Sequence, residues 1–235
     1  MAGNTGCVSS IRVSSTRLGS DTVSENSTDT MAPTAIVRSP FAGHVEGAQA
    51  SATGQVGVHV RAGILPGLLQ IATWPSGIAA LRSVMAQTLG AELPARCGQT
   101  AQIPAGLLMC TGPEEFQLLT TPGPSRLLEL RQHVPADIGS VTDLGHARCR
   151  IRIEGPRCRD TLSKLFAIDL RDAAWPVGEL RLTGHHHVPC SLLRGGGHLF
   201  DMFVFTTYAC DQLATVLDAA REYGVALELG PSPNA

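Results

Sequence analysis

The run Arg148-Cys149-Arg150-Ile151-Arg152-Ile153-Glu154 constrains this chain more than any other stretch. Charged and apolar side chains alternate there with a period of two, which is the pattern of a strand that buries one face. Glu154-Gly155-Pro156 follows and opens a helix to about Phe166, since proline suits a first helical turn where its missing N–H has no partner. A second strand-like run, Ser140–Leu144, stands just before.

The same alternation of short strands and helices extends in both directions. Upstream, Val56–Val60 alternates and Leu68–Thr73 is apolar. Trp74-Pro75-Ser76 supplies a turn and a helix cap. Ile78, Leu81, Met85 and Leu89 then recur at helical spacing until Gly90. Leu107–Cys110 and Phe116–Leu119 flank the turn 111–114 as a hairpin, and Pro124–Val134 reads as a short helix. Downstream, Gly178–Thr183, Val188–Leu193 and Leu199–Phe205 read as strands, with a tip at Gly195-Gly196-Gly197. Tyr208–Tyr223 carries Leu213, Val216, Leu217 and Ala220 on one helical face before Gly224.

This order predicts an α+β fold of two α/β halves, about 56–139 and 140–229, each with a mixed or antiparallel sheet covered by helices. A parallel βαβ array fits it less well. Residues 1–32 are rich in Ser, Thr, Gly and Asn and predict a disordered extension. Residues 33–55 predict an extended arm, and 230–235 a frayed tail. Met31 is an expected translation start.

Composition narrows the functional classes. A net charge of −2 lacks the basic excess of a nucleic-acid binder. No uncharged apolar run approaches the roughly 18–20 residues of a membrane helix, so a soluble, cytoplasmic protein is expected. Lys164 is the only lysine, and its flanks suit neither a Schiff base nor a phosphate loop. The seven cysteines are scattered with no CxxC pair, which predicts reduced thiols, several acting as small buried hydrophobes.

No complete constellation for catalysis is visible, so no catalytic, cofactor-binding or metal residue is assigned. His185-His186-His187 on a strand would point His185 and His187 to one face, with His198 and Asp201 as conceivable further ligands of zinc. Arg194-Gly195-Gly196-Gly197-His198 lies between two strand-like runs, which suits a hairpin tip and not a phosphate cradle. Cys149, Cys158 and Cys190 lie near histidines in sequence only. Arg148, Arg150, Arg152, Arg157 and Arg159, with Glu154 and Asp160, read as a solvated face with weak ion pairs. The other reading is a docking surface for an acidic partner.

Ser140-Val141-Thr142-Asp143-Leu144-Gly145-His146, the Arg/Ile strand and the Gly155-Pro156 helix start resemble the folate-binding fold of aminomethyltransferases. Within that superfamily the chain is most similar to the gamma subunit of heterotetrameric sarcosine oxidase. The likeness rests on Arg38-Ser39-Pro40, Leu93-Pro94-Ala95-Arg96-Cys97-Gly98 and Gly112-Pro113-Glu114-Glu115-Phe116. It continues through Asp143-Leu144 and Phe203-Val204-Phe205-Thr206-Thr207-Tyr208-Ala209, and spans about residues 36–225.

The resemblance implies a complex that oxidatively demethylates sarcosine to glycine, passes the one-carbon unit to tetrahydrofolate and forms hydrogen peroxide. FAD, FMN, NAD and the tetrahydrofolate site then belong to the alpha and beta subunits and zinc to the delta subunit, with no cofactor on this chain. Aminomethyltransferases carry paired acids after a Gly-Gly segment, whereas here Asp201 stands alone. That departure favours a structural subunit. The alternative is a stand-alone folate-binding transferase with Asp143 or Asp201 as base.

Overall fold

The computed structural model of the chain describes residues 39–120 and 124–230. The expectations for the polar head 1–32, for the start of the arm and for residues 231–235 lie outside the described residues.

The chain opens with β1 (Gly47–Gln49), β2 (Val58–Ile64), β3 (Leu68–Thr73) and α1 (Ile78–Leu89). Next come β4 (Thr100–Ile103), β5 (Gly106–Gly112), β6 (Glu115–Thr120), α2 (Pro124–His133) and β7 (Gly139–Asp143). After them follow β8 (Arg148–Glu154), α3 (Cys158–Leu165), β9 (Leu180–His185), β10 (Val188–Gly196) and β11 (Leu199–Phe205). The last are α4 (Ala209–Ala220) and β12 (Val225–Leu229).

The strands form a seven-stranded sheet in the order β1-β12-β2-β8-β11-β10-β9 and a five-stranded sheet in the order β4-β5-β6-β3-β7. Only β12 and β2 run parallel, so one sheet is mixed and the other antiparallel. The fold class is the expected α+β type. The sheets nevertheless exchange strands across residue 139. β2 joins β8 in the larger sheet, while β7 returns to β3 in the smaller one.

Each sheet buries one face under two helices. Cys149, Ile151, Ile153, Phe200, Met202 and Val204 of the larger sheet pack with Leu162 of α3 and Leu213 and Val216 of α4. Leu69, Ile71, Leu108 and Leu118 of the smaller sheet pack with Leu81, Met85 and Leu89 of α1 and Leu130 of α2. Each such side chain contributes about 1.5–3 kcal/mol by leaving water. A third cluster lies between the sheets, with Leu68, Met109 and Leu119 from one and Leu180, Leu193 and Phe203 from the other. The layers therefore run helix, sheet, sheet, helix.

This layering changes the meaning of the Arg/Ile alternation. The Ile face of β8 meets the helices, and the arginine face turns toward the second sheet instead of open solvent. The later part of the arm is also tied down. Phe41 is fully buried in the core beneath α3 and α4, and β1 adds an antiparallel edge to β12.

Two local details differ from expectation. Gly77, not Ser76, occupies the N-cap of α1, and no side chain caps it. A Cβ at Gly77 would lie 2.6 Å from the Ile138 carbonyl oxygen, so the packing of the loop before β7 leaves no room for a capping side chain. Further on, the histidine run does not continue as a strand. His185 pairs with Val188 across a two-residue turn, with His186 and His187 in the left-handed region at φ 48° and 65°. Such turns favour Asn-Gly because a Cβ at positive φ meets the following carbonyl. His187→Gly is expected to raise stability by about 1 kcal/mol. A urea midpoint equal to or below that of the parent would refute the turn.

Candidate functional site

The arginine face of β8 meets β11 in a register that sets Arg152 opposite Asp201 and Arg150 opposite Phe203. Arg152 donates from Nε to Asp201 Oδ1 at 2.8 Å and from Nη2 to Oδ2 at 2.9 Å, a two-pronged pair. Arg150 Nε lies 3.7 Å from the same Oδ1, and its side chain is 1% exposed. Burial pushes the Arg150 pKa down, Asp201 opposes that shift, and Arg152 adds to it. Hydrogen bonding to Asp201 holds Arg152 above its ordinary value.

Arg194 of β10 is, with Arg150, the second fully buried guanidinium, 3% exposed. It donates to the Trp175 carbonyl and to Asp172, and Asp172 also accepts from Arg159. These groups border a cavity of about 440 Å³ between the two sheets. Thr100, Gln102, Leu107 and Leu119 form the wall from the smaller sheet, and Leu193 and Leu199 belong to the larger one. The arginine cluster is thus split. Arg150 and Arg152 are internal, against the expectation of a solvated face, because a second sheet covers them. Arg157 pairs with Asp160 at 2.9 Å on the surface, and Arg148 stacks 3.5 Å above the Phe205 ring.

Asp201 is a counter-ion in this setting. Both of its oxygens accept from Arg152, which leaves it badly placed to take a proton from a substrate. Asp143 lies elsewhere, beside a cavity of about 310 Å³ with Leu65, Leu127 and His146, and its Oδ1 accepts the Gly145 N–H at 2.8 Å. The two carboxylates considered as bases are therefore not brought to one site.

The histidines do not converge as ligands. His185 is buried, with Nδ1 2.8 Å from Gln212 Oε1 and its ring 5.5 Å from Phe166. His186 stacks on it at 4.1 Å, and His187 belongs to the turn. Among the described residues no three His, Cys, Asp or Glu side chains are grouped to hold a metal ion. The Gly195-Gly196-Gly197 segment ends a hairpin, as expected, with a register shift between Arg194 and Gly196. Lys164 ties α3 to the end of α4 through Glu222 at 2.9 Å. No helix among the described residues is long and apolar enough to cross a membrane.

Cys149, Cys158 and Cys190 are buried, and burial pushes their thiols up to about 12, about 11 and about 11. They are protonated at neutral pH and serve as packing groups, not nucleophiles. Sequence reasoning missed a surface contact, Cys210 Sγ to His44 Nε2 at 3.3 Å, because 166 residues separate the partners. In the native chain Cys97 and Cys210, which are exposed, are expected to react with a thiol reagent at pH 8. Cys110, Cys149, Cys158 and Cys190 should react only in denaturant. Rapid native labelling of Cys149, located by peptide mapping, would contradict the burial.

No protein-family model matches the chain. It is 26% identical over 145 residues to the sarcosine oxidase subunit gamma of Corynebacterium sp. (strain U-96), a match covering 61% of this chain and 71% of that subunit. Its fold matches a chain of the heterotetrameric sarcosine oxidase from Corynebacterium sp. U-96 with a TM-score of 0.70 at 25% identity. That match covers 80% of this chain and 96% of the other. The glycine cleavage system aminomethyltransferase T of Bartonella henselae matches with a TM-score of 0.54 at 14% identity, over 74% of this chain and 48% of that one, a likeness of fold alone.

Proposed function

We propose that this chain, a relative of the sarcosine oxidase gamma subunit in both sequence and fold, is itself the gamma-type subunit of a heterotetrameric sarcosine oxidase. The observation that carries the reading is the extent of the likeness. It takes in nearly all of one chain of a heterotetramer, so what is shared is a whole subunit and not a fragment of an enzyme. The complex would convert sarcosine to glycine, pass the one-carbon unit to tetrahydrofolate and release hydrogen peroxide.

Within such a complex the chain contributes packing surface and no reacting group. Asp201 supports this role, since Arg152 occupies both of its oxygens. The buried thiols support it too, being protonated at neutral pH. Alpha, beta and delta subunits are the partners, and the flavins, NAD, zinc and tetrahydrofolate reside on them. Free cysteines fit a cytoplasmic location, where thiols stay reduced.

Affinity purification of the tagged chain from its native host tests the reading. The expected product is a yellow, multisubunit complex that oxidises sarcosine. Recovery of a colourless monomer, together with tight tetrahydrofolate binding by that monomer in calorimetry, would establish the transferase alternative instead.

A further inference from the structure

We infer that another cavity between the two sheets, where β6 faces β9 and β10, binds a small zwitterion, an amino acid with an apolar side chain. The inference does not rest on the subunit reading, and three observations carry it.

The first is an amide without a partner. Gln117 shares a face of β6 with Leu119, the face turned toward the larger sheet. It is 8% exposed, lines a cavity of about 450 Å³ and makes no side-chain hydrogen bond with any described residue. An amide taken out of water without new partners costs stability. A ligand that carries both donors and acceptors supplies those partners.

The second is polarity. Arg148 lines the same cavity, with its guanidinium 3.5 Å above the Phe205 ring. Burial pulls its pKa down and the charge of Glu115 opposes that shift, yet the two form no direct ion pair. Stacking occupies one face of the guanidinium, and its in-plane N–H groups have no acceptor among the described residues. Glu115 accepts the Thr111 hydroxyl on Oε1 at 2.7 Å, while its Oε2 accepts from no described residue. The Cys190 thiol beside them is protonated at neutral pH and adds no charge. The cavity thus holds one positive and one negative group, balanced in charge and kept apart. A molecule with the same balance fits it, placing a carboxylate against Arg148 and an ammonium against Glu115. A simple anion or cation would satisfy one group and be repelled by the other.

The third is size and lining. A volume of about 450 Å³ lies in the range of small-molecule sites. Leu182, 47% exposed, and Pro189 form an apolar wall on which the hydrocarbon of the ligand rests.

L-Leucine, N-acetyl-L-leucine and L-leucinamide test this on the full chain at neutral pH and constant ionic strength. The second lacks the positive charge and the third the negative one. Thermal denaturation and calorimetry are expected to show millimolar or tighter binding of leucine. Each derivative should bind at least about tenfold more weakly, the scale of a lost charged hydrogen bond, and Arg148→Met should weaken leucine equally. Gln117→Met, close in shape, should weaken leucine about fivefold, the scale of a neutral hydrogen bond. It should keep the urea midpoint of the parent, since the amide has no partner to lose, so the test stays decisive if Arg148→Met does not fold. Absence of leucine binding to the parent chain, equal binding of either derivative, or unchanged leucine affinity in Gln117→Met would each overturn the inference.

Discussion

Asp201→Ala is expected to destabilise the chain by about 3–5 kcal/mol, among the largest effects available to a single substitution here. The carboxylate lies between Arg152, which it accepts at 2.8 and 2.9 Å, and Arg150 at 3.7 Å. Removing it leaves two guanidiniums, one of them 1% exposed, without their shared counter-ion. The loss is thus dominated by stranded charge and much less by a missing contact. Replacing Arg150, Arg152 and Asp201 together by Met, Met and Leu separates the two causes. That triple variant is expected to recover most of the lost stability, because well-packed apolar groups often replace buried ion clusters at little cost. Urea denaturation reads both outcomes. A loss below about 1 kcal/mol for Asp201→Ala would show that the arginines do not depend on it.

That cluster also shows where the sequence is legible and where it is not. Periodicity located β8, β11, α1 and α4 because each buries a continuous face, as Leu81, Met85 and Leu89 do beneath β3. It identified the arginines of β8 as one face, yet a period of two cannot say what covers that face. Arg152 and Asp201 are 49 residues apart, and only the register of β8 on β11 brings them together. β4, with the sequence Thr-Ala-Gln-Ile, gives almost no apolar signal, although it supplies Thr100 and Gln102 to the cavity. β1 and β12 were missed for a related reason. Both are short strands whose partners lie far away in sequence, β1 at the sheet edge and β12 between β1 and β2. The histidine run misled in the opposite way, since the chain reverses at His186 and His187 where alternation would have carried a strand forward. Local pattern fixes which side chains share a face. Long-range pairing decides which face becomes a site.

The second large effect is an alkaline loss of stability set by the buried thiols. Their ordinary value is about 9, whereas burial raises Cys158 and Cys190 to about 11 and Cys149 to about 12. Cys110 is raised as well. Below about pH 8 both folded and unfolded chains keep these protons, and the stability is fully present. Between pH 9 and 11 the unfolded chain releases protons that the folded chain retains, so the unfolded state binds fewer and stability falls as pH rises. Each thiol contributes a slope of about 1.4 kcal/mol per pH unit in that window. Three together give about 4 kcal/mol per unit, comparable with the whole stability of an ordinary domain within two units. Urea titrations between pH 8 and 10.5 should show this decline, and Cys158→Ala should make it shallower by about 1.4 kcal/mol per pH unit, after allowance for its own constant cost. A triple alanine variant at Cys149, Cys158 and Cys190 with an undiminished slope would assign the alkaline limb to other groups.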